Sequence, residues 1–268
     1  MTTYMGTDLG SMVPVKCLSG LRVQPEHRAS FTDGLSGRHV WVDHPDRPAL
    51  RTWSATINVA DPHDIGTLVE LASLRVPLRM LTDDAVVGNI LPPGAVSGAA
   101  GWDVGGSGGV AGAVELADGW AATSVLPSSE ATTCTSPAVP VVPGRPVAGA
   151  LYVRAVRDTP ATVRLEWLNL DGSIQAVADT NTTATFAAPL PRVIVGATPP
   201  SNVFAARLAT VNAAQFARPS FTWTSQPQPW RPGMGAERVY LAPLSYDVIA
   251  AHTGQSLAGY TYTVTELS

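Results

Sequence analysis

Lysine is nearly missing from this chain: Lys16 is the only one, so the basic charge is carried almost wholly by arginine. Charged residues make up 14% of the sequence and the formal net charge is −4. No basic stripe is available to neutralise a phosphate backbone, which excludes nucleic acid as a partner. Cysteine is scarce too. Cys17 and Cys134 lie far apart, too few for a disulfide framework, and are read either as one bridge or as two buried thiols. The opening stretch MTTYMGTDLGSMVPVK lacks the charged start and unbroken apolar core of a signal peptide, which favours a reducing compartment and buried thiols. No apolar run approaches the length of a membrane span, so no such span is expected.

The chemistry of catalysis is equally thin. None of the five histidines, His27, His39, His44, His63 and His252, stands at a helical zinc spacing. The tightest group, His39, Asp43, His44 and Asp46, has the composition of an exposed loop. Ser107 in GGSGG has neither the spacing nor the setting of a nucleophile elbow, and no lysine follows to make a phosphate loop. Asp171 and Asp179 flank one strand with Glu166 nearby, but Asp171-Gly172 is explained by a turn. The expectation is a protein that is not an enzyme and holds no metal and no cofactor.

What is present is alternation. In the stretch 141–173, VVPGRPVAGALYVRAVRDTPATVRLEWLNLDGS, Leu151, Val153 and Ala155 share one face, with Tyr152, Arg154 and Val156 on the other. Val163, Leu165 and Trp167 repeat the pattern against Arg164, Glu166 and Leu168. A strand with one buried face requires this period of two. The turn residues Asp158-Thr159-Pro160 separate the runs, so the two are read as paired antiparallel strands of a β-sandwich. Further strands are predicted at Ala113–Leu116, Trp120–Thr123, Ile174–Ala178, Thr183–Ala187, Arg192–Ala197, Val203–Thr210 and Phe221–Thr224.

Before this region, residues 1–12 read as a flexible or partner-ordered polar arm. Short strands follow at Val13–Leu18, Leu21–Val23, Arg38–Val42 and Leu50–Val59. One helix is predicted after them. Asp61 suits its N-cap, Pro62 its first position and Asp64 its first turn, while Ile65, Leu68, Val69 and Ala72 line one face. Asp83-Asp84 reads as a turn, and 92–112 as a Gly-rich linker or loose first strand. LSYDVIAAHTG reads as a short helix or turn, and Ala258–Leu267 as a terminal strand free to return to the first sheet. The fold class is therefore all-β with one short helix. A split N-terminal barrel or sandwich, 13–100 with 241–268, receives an inserted jelly-roll sandwich, 101–240; simple tandem domains are the rival arrangement.

Two resemblances bear on function. PGRP followed by ALYVRA and then VRLEWLNLDGS resembles the central strands of carbohydrate-binding, galactose-binding-like jelly rolls. WRPGMGAERVY, from Trp230, is similar to the closing segment of such modules in minor tail proteins of phages that infect actinobacteria. The N-terminal strands, the DPHDIGTLVELASL helix and the LTDDAVVGNILPP tail together resemble the N-terminal part of distal-tail and minor tail proteins: a strand with Trp53, a helix, then an Asp-rich turn with Asp84, Asn89, Leu91 and Pro92 at matching positions. These resemblances imply a virion protein assembled in the host cytoplasm. They imply a homo-oligomer, a hexameric ring, contacting the tail tube and hub or baseplate proteins, with a host surface glycan as a further partner. A stand-alone carbohydrate-binding protein is the alternative. Because sugar-binding modules stack pyranose rings on exposed aromatics, Trp223, Trp230 and Trp102 are the candidate ligand-binding residues, with packing against the sandwich or a neighbouring subunit as the competing role.

Overall fold

The computed structural model describes residues 2–8, 12–16, 22–26, 29–33, 39–43, 50–57, 62–97, 100–106, 108–129, 132–157, 159–182, 189–252 and 255–267, with side chains described except at 16–50, 58–64, 111 and 246–258. The protein is all-β, with three short helices among the described residues. It divides into two compact units: 1–7 with 13–80 and 236–268, and 8–12 with 81–235.

The first unit contains β1 (Thr2–Gly6), β2 (Val13–Lys16), β3 (Arg22–Glu26), the hairpin β4 (Ala29–Asp33) and β5 (His39–Asp43), β6 (Leu50–Ile57), helix α1 (Pro62–Ser73) and β7 (Leu78–Thr82). Late in the chain come β18 (Ala236–Leu241), β19 (Ser245–His252) and β20 (Gln255–Glu266). One sheet runs β2-β1-β7-β18-β20-β6-β3, with β19 also on β20. Strand β20 places Val264 opposite Trp53 and Tyr262 opposite Ala55, and all four are buried in a core with Met5, Leu68, Leu71, Leu78 and Val239. Both ends of the chain thus build one sheet. Arg51 reinforces the closure by donating to the Glu266 carboxylate through Nε (2.8 Å) and Nη2 (2.6 Å), a bidentate pair.

Three expectations are corrected here. Residues 2–6 are not a flexible arm: they pair in register with 13–16, and Met5 is fully buried. Their polar composition conceals an alternation in which Thr3 and Met5 face inward. Within LSYDVIAAHTG, Ser245–His252 is neither helix nor turn, because it pairs along β20 and tertiary pairing overrides weak local preference. The expected boundaries at 100/101 and 240/241 fall instead at 80/81 and 235/236, for reasons set by Asn89, described below. Cys17, the expected N-cap Asp61, the expected strand 183–187 and the histidine side chains lie outside the described residues.

The second unit begins with helix α2 (Asp83–Gly88), capped by the Thr82 hydroxyl, which accepts from Ala85 N at 3.2 Å. Asp83 and Asp84 occupy its first turn, where carboxylates favour the helix dipole, so the expected turn is a helix start. Helix α3 (Pro93–Ser97) follows, then strands β8 (Gly109–Glu115), β9 (Ala121–Leu126), β10 (Cys134–Thr135), β11 (Val139–Pro140), β12 (Val147–Ala155), β13 (Thr162–Leu168), β14 (Ile174–Asn181), β15 (Arg192–Ala197), β16 (Ala205–Val211) and β17 (Ala213–Thr222). They form two sheets, β10-β16-β13-β14 with β11 on β16, and β15-β12-β17-β9-β8. The two alternating runs that define β12 and β13 are not partners. Strand β12 pairs with β15 and β17, whereas β13 pairs with β14 and β16 in the opposite sheet. Each buries the face predicted, but alternation specifies a buried face and not the neighbour that shares its hydrogen bonds. The sheets approach closely at Gly149, where a Cβ would lie 2.6 Å from Leu208 Cδ1 and 3.2 Å from Leu165 Cδ2.

Asn89 explains why 81–100 belongs with this unit. Its fully buried amide donates to Pro219 O (3.0 Å) and Arg231 O (3.1 Å) and accepts from Leu91 N (3.2 Å) and Phe221 N (3.1 Å). Ile90 N and Trp223 N add backbone bonds to Phe221 O and Val86 O, so the segment after α2 runs beside the end of β17. A buried amide with all four positions used ties these segments together.

Candidate functional site

Two of the three expected tryptophans are structural. Trp102 is buried; its Nε1–H donates to Ala95 O (2.8 Å) and its ring lies 4.7 Å from that of Phe216. Trp223 is buried as well, with Nε1–H donating to Pro140 O (3.0 Å) and the Arg145 guanidinium 5.1 Å above its ring. Neither offers a free face for a sugar. Trp223 directly follows β17, and its backbone N–H donates to Val86 O (2.7 Å).

Trp230 stays partly exposed, and it leads to a cluster that the sequence reading passed over. The β8–β9 hairpin turns at Leu116-Ala117-Asp118-Gly119-Trp120. Gly119 N donates to Leu116 O (2.9 Å) and Leu116 N to Trp120 O (2.8 Å). Gly119 has φ +81°, the left-handed position that completes such a turn at no steric cost. Asp118 Oδ1 accepts from Trp120 N (3.2 Å), holding the Trp120 backbone against the turn while 66% of that residue remains exposed.

Asp118 Oδ2 accepts from the Tyr152 hydroxyl (2.7 Å), reaching from the middle of β12. Arg218 Nη1 lies 3.7 Å from the same carboxylate, its Nη2 donates to Ala121 O (3.3 Å), and its guanidinium sits 4.8 Å over the Trp230 ring. Arg218 reaches these groups from a β-bulge: Ser220 opposes Ala150 and Ala217 opposes Tyr152, leaving Arg218 and Pro219 opposite Leu151 alone. Its φ is +47°, a conformation uncommon for a residue with a Cβ, and bulges of this kind re-aim a side chain. Across the other side of β12, Arg192 stands in register with Tyr152 and donates from Nη2 to Gln228 O (2.6 Å).

The floor beneath is a small apolar cluster of Leu116, Tyr152, Leu190 and Ala217. Leu190, just ahead of β15, exchanges backbone bonds with the end of β8, since Leu190 N donates to Glu115 O and Ala117 N to Leu190 O (both 2.9 Å). The lead into one edge strand therefore closes onto the other, sealing this end of the outward face over Tyr152.

Burial opposes ionisation of Asp118, but the Tyr152 hydroxyl, the Trp120 N–H and the Arg218 charge outweigh it and hold the carboxyl below its ordinary value. Burial, and then the bond to Asp118, push the Tyr152 hydroxyl up. Asp118 is thus an anion with its acceptor positions partly taken, and Tyr152 a committed donor. The cluster contains one carboxylate where glycoside hydrolysis commonly uses two. It presents an exposed indole, a second indole under an arginine, one guanidinium beside the carboxylate and another in register with Tyr152, groups suited to binding a ligand. Cys134 is a buried free thiol pushed up to about 11, first by burial and then by Asp103, so the thiolate needed for reaction is disfavoured. Among the described residues no group of three His, Cys, Asp or Glu could hold a metal ion, and no helix is long and apolar enough to cross a membrane.

No family model matches the chain, and no curated protein matches it. Among solved structures the chain is similar to the CBM22-1 and GH10 modules of the Clostridium thermocellum endo-1,4-β-D-xylanase 10B complexed with xylohexaose, at 14% identity over 54% of this chain and 30% of that one, with a TM-score of 0.36. It is similar to the enzymatically active domain of bacteriophage CBA120 tailspike protein 4, at 10% identity over 50% of this chain and 21% of that one, TM-score 0.35. It is also similar to the SPP1 Dit protein, a hub adsorption component of phages infecting Gram-positive hosts, at 12% identity over 75% and 91%, TM-score 0.18. The chain spans less than a third of the length of the first two. Each is a likeness, and none decides what this chain does.

Proposed function

We propose that the protein is a structural component of a siphophage tail tip, of the distal-tail or minor tail type, and that its sandwich carries a saccharide contact. In this reading the first unit builds a hexameric ring between the tail tube and hub or baseplate proteins, in a virion assembled in the host cytoplasm. Head-to-tail contacts that close by rotation make such rings. The observation that carries the reading is the chain path. Both termini build one sheet around α1, and the sandwich departs after β7 and returns at β18. The order of strand, helix and Asn89 segment follows the resemblance seen in the sequence, with Trp53 buried in that sheet. Strand β1 is used inside its own sheet, so subunit contacts are made by other surfaces than a free arm.

The alternative, a stand-alone carbohydrate-binding protein, draws on the exposed Trp120 beside Asp118 and Arg218. Light scattering with negative-stain imaging of the purified chain separates the two. A closed ring supports the tail reading, whereas a monomer at 28.0 kDa that binds wall saccharides favours the alternative.

A further inference from the structure

Tyr152 is flanked by arginine on both neighbouring strands: Arg192 of β15 stands directly opposite it, and Arg218 of β17 adjoins its other partner, Ala217. Residues opposed across strands project to the same face. Both guanidinium groups act electrostatically on the Tyr152 hydroxyl. Against these two cations the cluster sets one carboxylate. Asp118 lies 3.7 Å from Arg218 and already receives Tyr152 and the Trp120 N–H. Arg192 is hydrogen-bonded to a neutral carbonyl, Gln228 O, and among the described residues has no carboxylate within 4.0 Å. The site therefore holds a surplus of positive charge on a face of a protein whose formal net charge is −4. The guanidinium fork of Arg192 suits a planar or tetrahedral oxyanion.

We propose that this site recognises an acidic saccharide, with a sugar ring on Trp120 and a carboxylate or phosphate substituent on Arg192 and Arg218. The proposal rests on the reading of the cluster as a saccharide site and names the class of saccharide. Arg218 is partly matched by Asp118, so Arg192 supplies most of the discrimination between charged and neutral sugars. Long-range steering is weak in a chain of negative net charge, so the preference resides in contact and fades with salt.

The test is calorimetric titration of the full chain with a galacturonate hexasaccharide, a neutral galactose hexasaccharide and a glycosylated poly(glycerol phosphate). Wild type should bind at least one acidic probe about tenfold or more tighter than the neutral one, with the gap narrowing at about 0.5 M salt. Which acidic probe is preferred distinguishes carboxylate from phosphate. Arg192→Gln should bring acidic binding down to the neutral level with neutral binding kept, Arg192→Lys should retain part of the preference, and Trp120→Ala should remove binding of every probe. Unchanged melting of the variants guards against misfolding. Equal affinity for acidic and neutral probes, or a preference that survives Arg192→Gln, overturns the acidic-saccharide inference and leaves the saccharide site standing. Binding of no probe overturns the saccharide site itself, and the inference with it.

Discussion

Two polar side chains grip the same stretch of β17 in opposite ways. Asn89 holds Pro219 and Phe221 from a fully buried position in which every donor and acceptor is used. The Asp118–Arg218 cluster engages the neighbouring residue at the surface, with a long ion pair, a left-handed φ, and a buried Trp230 Nε1 that has no hydrogen-bond partner among the described residues. Saturated polar groups in the interior specify a fold, since removing one strands its partners. Strained, partly satisfied groups beside an exposed indole are what the saccharide site proposed above would use.

The largest effect expected from this contrast is on Asn89. Asn89→Ala strands two backbone N–H groups and two carbonyls in the interior and should cost on the order of 3 kcal/mol of stability, read from urea unfolding. A loss below about 1 kcal/mol would show that water replaces the amide and that the saturated clamp is not special. Trp120→Ala sharpens the other side. It should leave stability within about 0.5 kcal/mol while lowering saccharide affinity at least about tenfold, measured by melting and calorimetry in parallel.

Arg218→Gly tests whether the bulge strain belongs to the site. Glycine relieves the positive φ, worth about 1 kcal/mol or more, and gives up a contact over Trp230 of about 0.5–1 kcal/mol. Stability should therefore move by less than about 1 kcal/mol, and a saccharide that needs the guanidinium should no longer bind well. The smallest effect concerns pH. The folded-state pKa of Asp118 is depressed, so its contribution to stability is fully present above the ordinary value of 3.8 and is lost as pH falls through the lowered one. The stability difference between wild type and Asp118→Asn should be constant from neutral pH down to about pH 5 and shrink below it, in acid unfolding series. With the Asp118 side chain 36% exposed, the difference should amount to a few tenths of a kcal/mol.

The site was less legible than the fold. Asp118-Gly119 announces a turn, but nothing local says that the tryptophan after it stays exposed, and Trp120 reads equally well as the first residue of a half-buried strand. Trp102 and Trp223 sit among glycine and proline, which suggests loops. Each is buried by partners distant in sequence, Phe216 for the first and Pro140 and Val86 for the second. Arg218 carries no sequence signal beyond the proline that follows it, because a bulge is a mismatch between two strands and belongs to neither alone.

The sequence by itself determined the local terms: which residues alternate along β12 and β13, that β6 and β20 are strands, where α1 runs, and that the chain is all-β. These follow from a period of two or of 3.6 and from turn residues, which a single segment carries within itself. Only the tertiary structure decided that β12 and β13 lie in opposite sheets, that β1 is an interior strand, that 81–100 joins the sandwich, and that Trp120 rather than Trp102 or Trp223 is open to a ligand. Each of those depends on which distant segment covers a face or completes a hydrogen bond. Segments with the same pattern leave that choice open until the whole chain packs.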